Sequence, residues 1–203
     1  PMDIPEGYLN VKVPTDEGEI EMEMPWPLQS PSVYHLTKSQ DFLTFQFYNK
    51  NDGIVCTDLR QGIVWGCQTE ETQHHPDLIN RWDYDYDYGT VLNRFLIQSQ
   101  IGHPLTVYGT GGQTRAFIHI QDTVRCVRLA IENPPSDESK VRVMNQTTEC
   151  LNVLELAKKV KTMTGAEIRY YKNQREEAVE NKLRMSNKNL IDMMTRVYLI
   201  LED

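Results

Sequence analysis

Apolar and polar positions alternate at the start of the chain. Leu9, Val11 and Val13 are separated by single residues, and Ile20, Met22 and Met24 interleave with Glu19, Glu21 and Glu23. A period of two places one face of a strand on a core. Thr15-Asp16-Glu17-Gly18 between the runs supplies a turn, so the chain is expected to open with a hairpin. Pro25, Pro27 and Pro31 then enforce an extended loop. Ser32 is placed to cap a helix over 34–49, with Tyr34, Lys38, Phe42 and Phe45 on one face. Asn51-Asp52-Gly53 stops that helix, and a buried strand over 54–59 runs into the glycine-bounded loop Gly62-Ile63-Val64-Trp65-Gly66.

Residues 67–86 lack a period and read as a long loop of the kind that covers a site. A helix over 88–101 follows, its apolar positions at Val91, Leu92, Phe95 and Leu96, stopped by Gly102 and Pro104. Strands are expected over 105–108 and 116–120 around the glycine-rich turn 109–113. Asp122 is the expected cap of a further helix that ends at Asn133-Pro134-Pro135. A strand over 141–145 precedes Asn152-x-x-Glu155, a capping box that opens an amphipathic helix closed by Gly165. A strand over 168–171 and a helix over 187–201 complete the series. Helices interleaved with single strands predict an α/β class.

The 203 residues are 39% hydrophobic and 25% charged, an ordinary globular composition that excludes collagen-like and wholly disordered chains. No apolar run reaches the ~18 residues of a membrane span. Twenty-one Lys and Arg against 29 Asp and Glu give a net charge of −8, which repels a phosphate backbone. The basic cluster Lys158, Lys159 and Lys161 falls on an amphipathic pattern and reads as a solvated face, so no nucleic-acid partner is expected. Cys56, Cys67, Cys126 and Cys150 are too scattered for zinc or a disulfide framework, and free thiols in a reducing compartment are expected. His74 and His75 are adjacent and point apart on an extended chain, so no metal is assigned. Pro1-Met2-Asp3 has no secretory features and reads as a start in mid-sequence.

Tyr34-His35-Leu36-Thr37-Lys38 sets a phenol and an ammonium four residues apart on one helical face. A cation there stabilises the phenolate and suits the tyrosine to act as a general base toward a hydroxyl, although the spacing alone also arises by chance. The strand and Gln61-Gly62-Ile63-Val64-Trp65-Gly66 after it give the setting more weight. With these residues the chain resembles the short-chain dehydrogenase/reductase family, in its extended branch that acts on nucleotide sugars. The resemblance continues through Leu105-Thr106-Val107-Tyr108-Gly109, Gly112-Gln113-Thr114-Arg115, Phe117-Ile118-His119-Ile120-Gln121-Asp122, Val143-Met144-Asn145 and Asn152-Val153-Leu154-Glu155-Leu156. His35 directly after the tyrosine, Thr57-Asp58-Leu59-Arg60-Gln61-Gly62, Thr69-Glu70-Glu71-Thr72, Arg81-Trp82-Asp83-Tyr84-Asp85 and Leu92-Asn93-Arg94-Phe95 resemble the members that join sulfite to UDP-glucose.

That resemblance implies the last part of a Rossmann-type doubly wound domain over 1–66, and a smaller α/β substrate-binding region over 67–203. It implies NAD as cofactor, at Tyr34, Lys38 and Gln61, and UDP-glucose with sulfite as substrates. Tyr34 and Lys38 would be catalytic. His35 would handle protons near C5 or C6, or else pack on the helix surface. Arg115 and Arg175 would meet the diphosphate, a match for guanidinium geometry, with surface ion pairs as the plain alternative. Asn93, Thr106, Val107 and Tyr108 would line the uridine pocket, and Thr69 and Glu70 would face the hexose. One departure stands beside this. The family's G-x-x-G-x-x-G between strand and helix is absent, so a missing or separate N-terminal half is expected. A 4-epimerase, a 4,6-dehydratase and a non-catalytic UDP-sugar-binding subunit remain open. The family implies a homodimer through the Tyr34 helix, with Phe42, Phe45, Phe47 and Tyr48 as its apolar surface, and a location in the cytoplasm or the plastid stroma.

Overall fold

The computed structural model describes residues 3–26, 30, 32–136, 139–174 and 179–201, without the side chains of 195–201. Strands β1 (Tyr8–Thr15) and β2 (Gly18–Pro25) form the expected hairpin. Leu9 lies opposite Met24, Val11 opposite Met22 and Val13 opposite Ile20, so one face is apolar while Lys12 and Glu21 pair on the other. Helix α1 (Val33–Asp52) starts where Ser32 accepts the His35 N–H and stops at Gly53, which takes a left-handed φ of 64°.

Strand β3 (Thr57–Gln61) begins three residues beyond the expected start. Residues expected as loop form a further strand, β4 (Ile63–Trp65). Three apolar residues between glycines are too short to show a period, and it is a distant partner that makes them a strand. Residues 66–90 are irregular apart from the 3₁₀ turns Thr72–His74 and Pro76–Leu78. Helix α2 (Val91–Gln100), strand β5 (Leu105–Tyr108) and strand β6 (Gly112–His119) follow. Helix α3 (Ile120–Glu132) starts two residues before Asp122, which therefore sits in the first turn instead of capping it. Strand β7 (Arg142–Gln146) leads to a strand that was not expected, β8 (Glu149–Asn152). Helix α4 (Val153–Thr164) carries the full Asn152/Glu155 capping box. Strands β9 (Ile168–Tyr171) and β10 (Glu180–Asn181) precede α5 (Lys188–Leu201).

The chain forms two compact units that are interleaved along it, because β7 returns to pair with β3. One unit holds Gln61–Arg125 and Gln146–Met185. In it β4 runs parallel to β6, β8 pairs with β6 antiparallel, β10 runs parallel to β6, and β5 runs parallel to β9. Phe95, Leu105, Val107, Phe117, Leu156, Ala157 and Val160 form its core between α2, α4 and these strands. The other unit holds Ile4–Arg60, Cys126–Asn145 and Ser186–Asp203. Phe42 is buried there against Val141 and Val143, with the Arg60 guanidinium 4.5 Å from its ring. Phe42 is thus a core residue, and only Phe45, Phe47 and Tyr48 of the expected dimer surface are exposed.

Candidate functional site

In the first unit a cavity of about 320 Å³ opens between the start of α2, the end of β5 and the start of β6. Tight chain reversal builds it. Gly109 and Gly111 link β5 to β6 with φ of 62° and 72°. A Cβ on Gly111 would stand 2.8 Å from Val107 Cγ1 and 3.0 Å from Leu154 Cβ, so only glycine fits the turn. The reversal sets Tyr108 beside Gln113 and Arg115, which lie two residues apart and share one face of β6.

The Tyr108 ring is fixed on several sides. Tyr86 meets it edge-on at 5.4 Å, Tyr171 lies at 6.2 Å, and the Arg94 guanidinium sits 5.4 Å from its centroid. Arg115 Nη1 donates to the Thr114 carbonyl at 3.1 Å, which orients the guanidinium plane. Arg94 from α2 and Arg115 from β6 face Asp87 as the one carboxylate on the described wall. Two cations in a chain of net charge −8 make this cavity a local attractor for an anion. A fixed aromatic ring beside two guanidinia suits a ligand with a planar ring at one end and negative oxygens at the other.

Arg115 and Tyr108 are the sequence-predicted residues that this cavity brings together. The others are placed elsewhere, for local reasons. Val107 is fully buried in the core. Thr106 donates its N–H to Gln98 Oε1 at 3.0 Å, and its hydroxyl meets the same amide, so it serves the α2–β5 contact. Asn93 is 6% exposed and does not reach the wall: its Oδ1 accepts the Gly66 N–H at 3.1 Å, and its carbonyl accepts the Trp82 indole N–H at 3.2 Å. On a helix Asn93 lies about 100° round from Arg94, which explains why its neighbour lines the cavity and it does not. Thr69 and Thr72 exchange hydrogen bonds within one turn, while Glu70 is held by Arg125 at 3.1 Å and by Gln121. Gln61 is the exposed last residue of β3. Arg175 lies outside the described residues.

Sequence reasoning missed Arg94, Gln113, Tyr86 and Asn173 as wall residues. Gln113 was reachable from its spacing to Arg115 on one strand face. Arg94 and Tyr86 were not, because the way α2 and the preceding loop meet β5 has no local signal.

Tyr34, His35 and Lys38 stand in the other unit, in the first turns of α1. Tyr34 is 68% exposed, and the Lys38 ammonium lies 5.9 Å from its ring centroid. Asp41 pairs with Lys38 at 3.0 Å and, with a smaller push from Tyr34, raises the lysine pKa, so the ammonium stays charged. His35 Nδ1 lies 2.7 Å from the capping Ser32 Oγ, which orients the ring. This open pair fits the nicotinamide end of a dinucleotide. Among the described residues no glycine-rich strand-to-helix turn occurs that could cradle the dinucleotide phosphates.

The same unit has a larger cavity, of about 620 Å³, lined in part by Glu6, Tyr8, Lys140 and Asn189. Four of its charged groups are already engaged: Lys140 pairs with Glu23 at 2.8 Å, Arg142 donates to the Asn133 carbonyl, and Glu6 accepts the N–H groups of Asn145 and Asn189. Size alone therefore does not identify the site. Among the described residues, no group of three or more His, Cys, Asp or Glu is placed to hold a metal ion.

Comparison with known proteins bears on the family and the fold. The chain is 49% identical over 156 residues to the chloroplastic UDP-sulfoquinovose synthase of Spinacia oleracea, covering 77% of this chain and 31% of that protein. It is 38% identical over 185 residues to the UDP-sulfoquinovose synthase of Sulfolobus acidocaldarius, covering 88% and 46%. The chain thus spans less than half the length of either relative. Among solved structures, the UDP-glucose 4-epimerase of Thermotoga maritima with UDP-glucose superposes with a TM-score of 0.62 at 22% identity, over 94% of this chain and 54% of that one. The UDP-glucuronic acid 4-epimerase of Bacillus cereus gives 0.61 at 21%, over 95% and 54%. These two likenesses concern the fold, which is α/β and of the Rossmann type. The model of the NAD dependent epimerase/dehydratase family matches residues 21–145, and the chain belongs to that family.

Proposed function

We propose that this chain is the substrate-holding part of a UDP-sulfoquinovose synthase-like enzyme, which joins sulfite to UDP-glucose through a 4-keto sugar. The observation that carries the reading is the cavity in which Arg115 and Arg94 face a fixed Tyr108. The guanidinia take the diphosphate by charge-assisted hydrogen bonds, and the Tyr108 end takes the uracil.

NAD, with its nicotinamide end at Tyr34 and Lys38, would supply the hydride acceptor for C4 of the glucose. Tyr34 removes the C4 hydroxyl proton, and Lys38, held positive by Asp41, holds the nicotinamide ribose and favours the phenolate. The C4 carbonyl acidifies C5–H, water departs from C6, and sulfite adds there. His35, with Nδ1 engaged by Ser32, offers Nε2 for the proton at C5 or C6. Exposed Leu43, Phe47 and Tyr48 on α1 supply a homodimer surface, and the spinach relative's name supports a plastid setting beside a cytoplasmic one.

The test is mass spectrometry of UDP-glucose incubated with the chain, NAD and sulfite. A product that carries the sulfonate supports the reading. Loss of water alone indicates a 4,6-dehydratase, and a change of sugar without change of mass a 4-epimerase. Binding of UDP-glucose with no turnover would indicate a UDP-sugar-binding subunit instead.

A further inference from the structure

Among the described residues strand β2 pairs with β1 alone, and all eight of its residues are exposed. The register on β1 decides which of its backbone groups are left over. Thr15 and Gly18 flank the two-residue turn as a hydrogen-bonded pair, and bonded and unbonded pairs alternate from there. Ile20, Met22 and Met24 therefore bond β1, while Glu19, Glu21 and Glu23 turn their N–H and C=O outward. The prolines agree: Pro14 and Pro25 have no N–H to give, and both fall at outward positions. A ribbon of two strands is marginal in water, and a third strand is one way to secure it.

The chemistry of the ribbon narrows what that strand is. Pro14 blunts the outer edge of β1, which leaves β2 as the accepting edge. Two β2 edges brought together would set Glu against Glu, so a second copy of this chain does not fit. Five carboxylates between Asp16 and Glu23 stand against Lys12 as the one cation of the ribbon, although Glu23 is already held by Lys140 at 2.8 Å. Residues directly opposite on paired strands share a face, so an added strand meets Glu19 and Glu21 on one face and Ile20, Met22 and Met24 on the other. We propose that the outer edge of β2 docks an extended segment of a partner protein in which basic and apolar residues alternate. Main-chain hydrogen bonds to Glu19, Glu21 and Glu23 supply the affinity, and the alternation supplies the choice of partner. The ribbon belongs to the other unit from the proposed UDP cavity, and the two readings stand or fall separately.

Amide hydrogen exchange of the full chain, read residue by residue by NMR, tests this with two probes. One is the peptide Lys-Val-Lys-Val-Lys-Val-Lys, and the other is the same peptide with every backbone nitrogen methylated, which keeps the charge and side chains but cannot donate. The plain peptide is expected to slow exchange at Glu19, Glu21 and Glu23 by at least about tenfold, and the methylated one to leave it unchanged. Glu21→Gln keeps the outward N–H and should weaken the plain peptide by no more than about threefold. Glu21→Pro removes that N–H at an outward position, as at Pro14 and Pro25, and should weaken it by at least about tenfold in a chain whose β1 amides keep their exchange rates. Equal effects of the two peptides, or no slowing by the plain one, overturn the proposal without any variant. Slow exchange at these amides before peptide is added also overturns it. Slowing that grows with chain concentration makes a second copy the occupant, and slowing independent of concentration makes it another segment of this chain.

Discussion

Asn93 separates a residue that builds the site from one that touches the ligand, and its truncation gives a sharp test. Its Oδ1 accepts the Gly66 N–H at 3.1 Å, in surroundings where Asn93 is 6% exposed. Asn93→Ala removes the acceptor and leaves that N–H without a protein partner, which costs about 1–3 kcal/mol. At about 1.4 kcal/mol per factor of ten, the middle of that range is roughly a thirtyfold fall in the folding equilibrium. The Trp82 indole bonds the backbone carbonyl of residue 93 and should persist in the variant. Asn93→Asp keeps an acceptor but buries a charge, and should be no more stable than the alanine form. Urea unfolding followed by tryptophan fluorescence gives the stability, and UDP titration of the folded variant gives the site. The expected result is a lower midpoint with UDP affinity within about threefold. A tenfold loss of UDP affinity at unchanged stability would instead make Asn93 a wall residue.

Other outcomes follow from the same structure. Arg115→Ala should weaken UDP at least about thirtyfold, and Arg115→Lys should recover only part of it, because an ammonium does not reproduce the planar fork; calorimetry reads both. Gly66→Ala should destabilise by about 2–4 kcal/mol, because φ is 90° and the new Cβ would stand 2.6 Å from His119 Nε2. Gly102→Ala, at φ 72° with nothing within 4 Å, should show only the backbone strain of about 1–2 kcal/mol, so equal urea midpoints would contradict the packing around Gly66. Burial raises the Glu6 pKa above the ordinary value of 4.5, so the folded state holds this proton more tightly than the unfolded one. Its contribution to stability is full below 4.5 and is lost as pH rises through the raised value, and Glu6→Gln should remove that loss from thermal melts at increasing pH. NAD alone should not bind the 203-residue chain at micromolar concentration, for want of a phosphate cradle, and fluorescence titration would reveal otherwise.

Local chemistry made the helices readable. Ser32 and Gly53 bound α1, and Asn152, Glu155 and Gly165 bound α4, because a cap is written within a few residues. Strands β4 and β8 were not readable: three and four residues carry no usable period, and what makes each a strand is β6. The interleaving of the units had no local signal either, since it depends on β7 meeting β3. At the site, the motif around Arg115 was visible, but which residue of Thr106-Val107-Tyr108 reaches the cavity was not. Gln98 claims Thr106 and the core claims Val107, and both follow from how α2 lies on β5. Asp122 reads as a cap in sequence, yet it serves the first turn of α3 and pairs with Arg125 at 3.4 Å.

The most direct test of the central claim is a crystal structure of the chain with UDP-glucose. The account predicts density with the diphosphate on the Arg115 guanidinium and the uracil against Tyr108. A nucleotide seated elsewhere, with this cavity empty at saturating ligand, would contradict it.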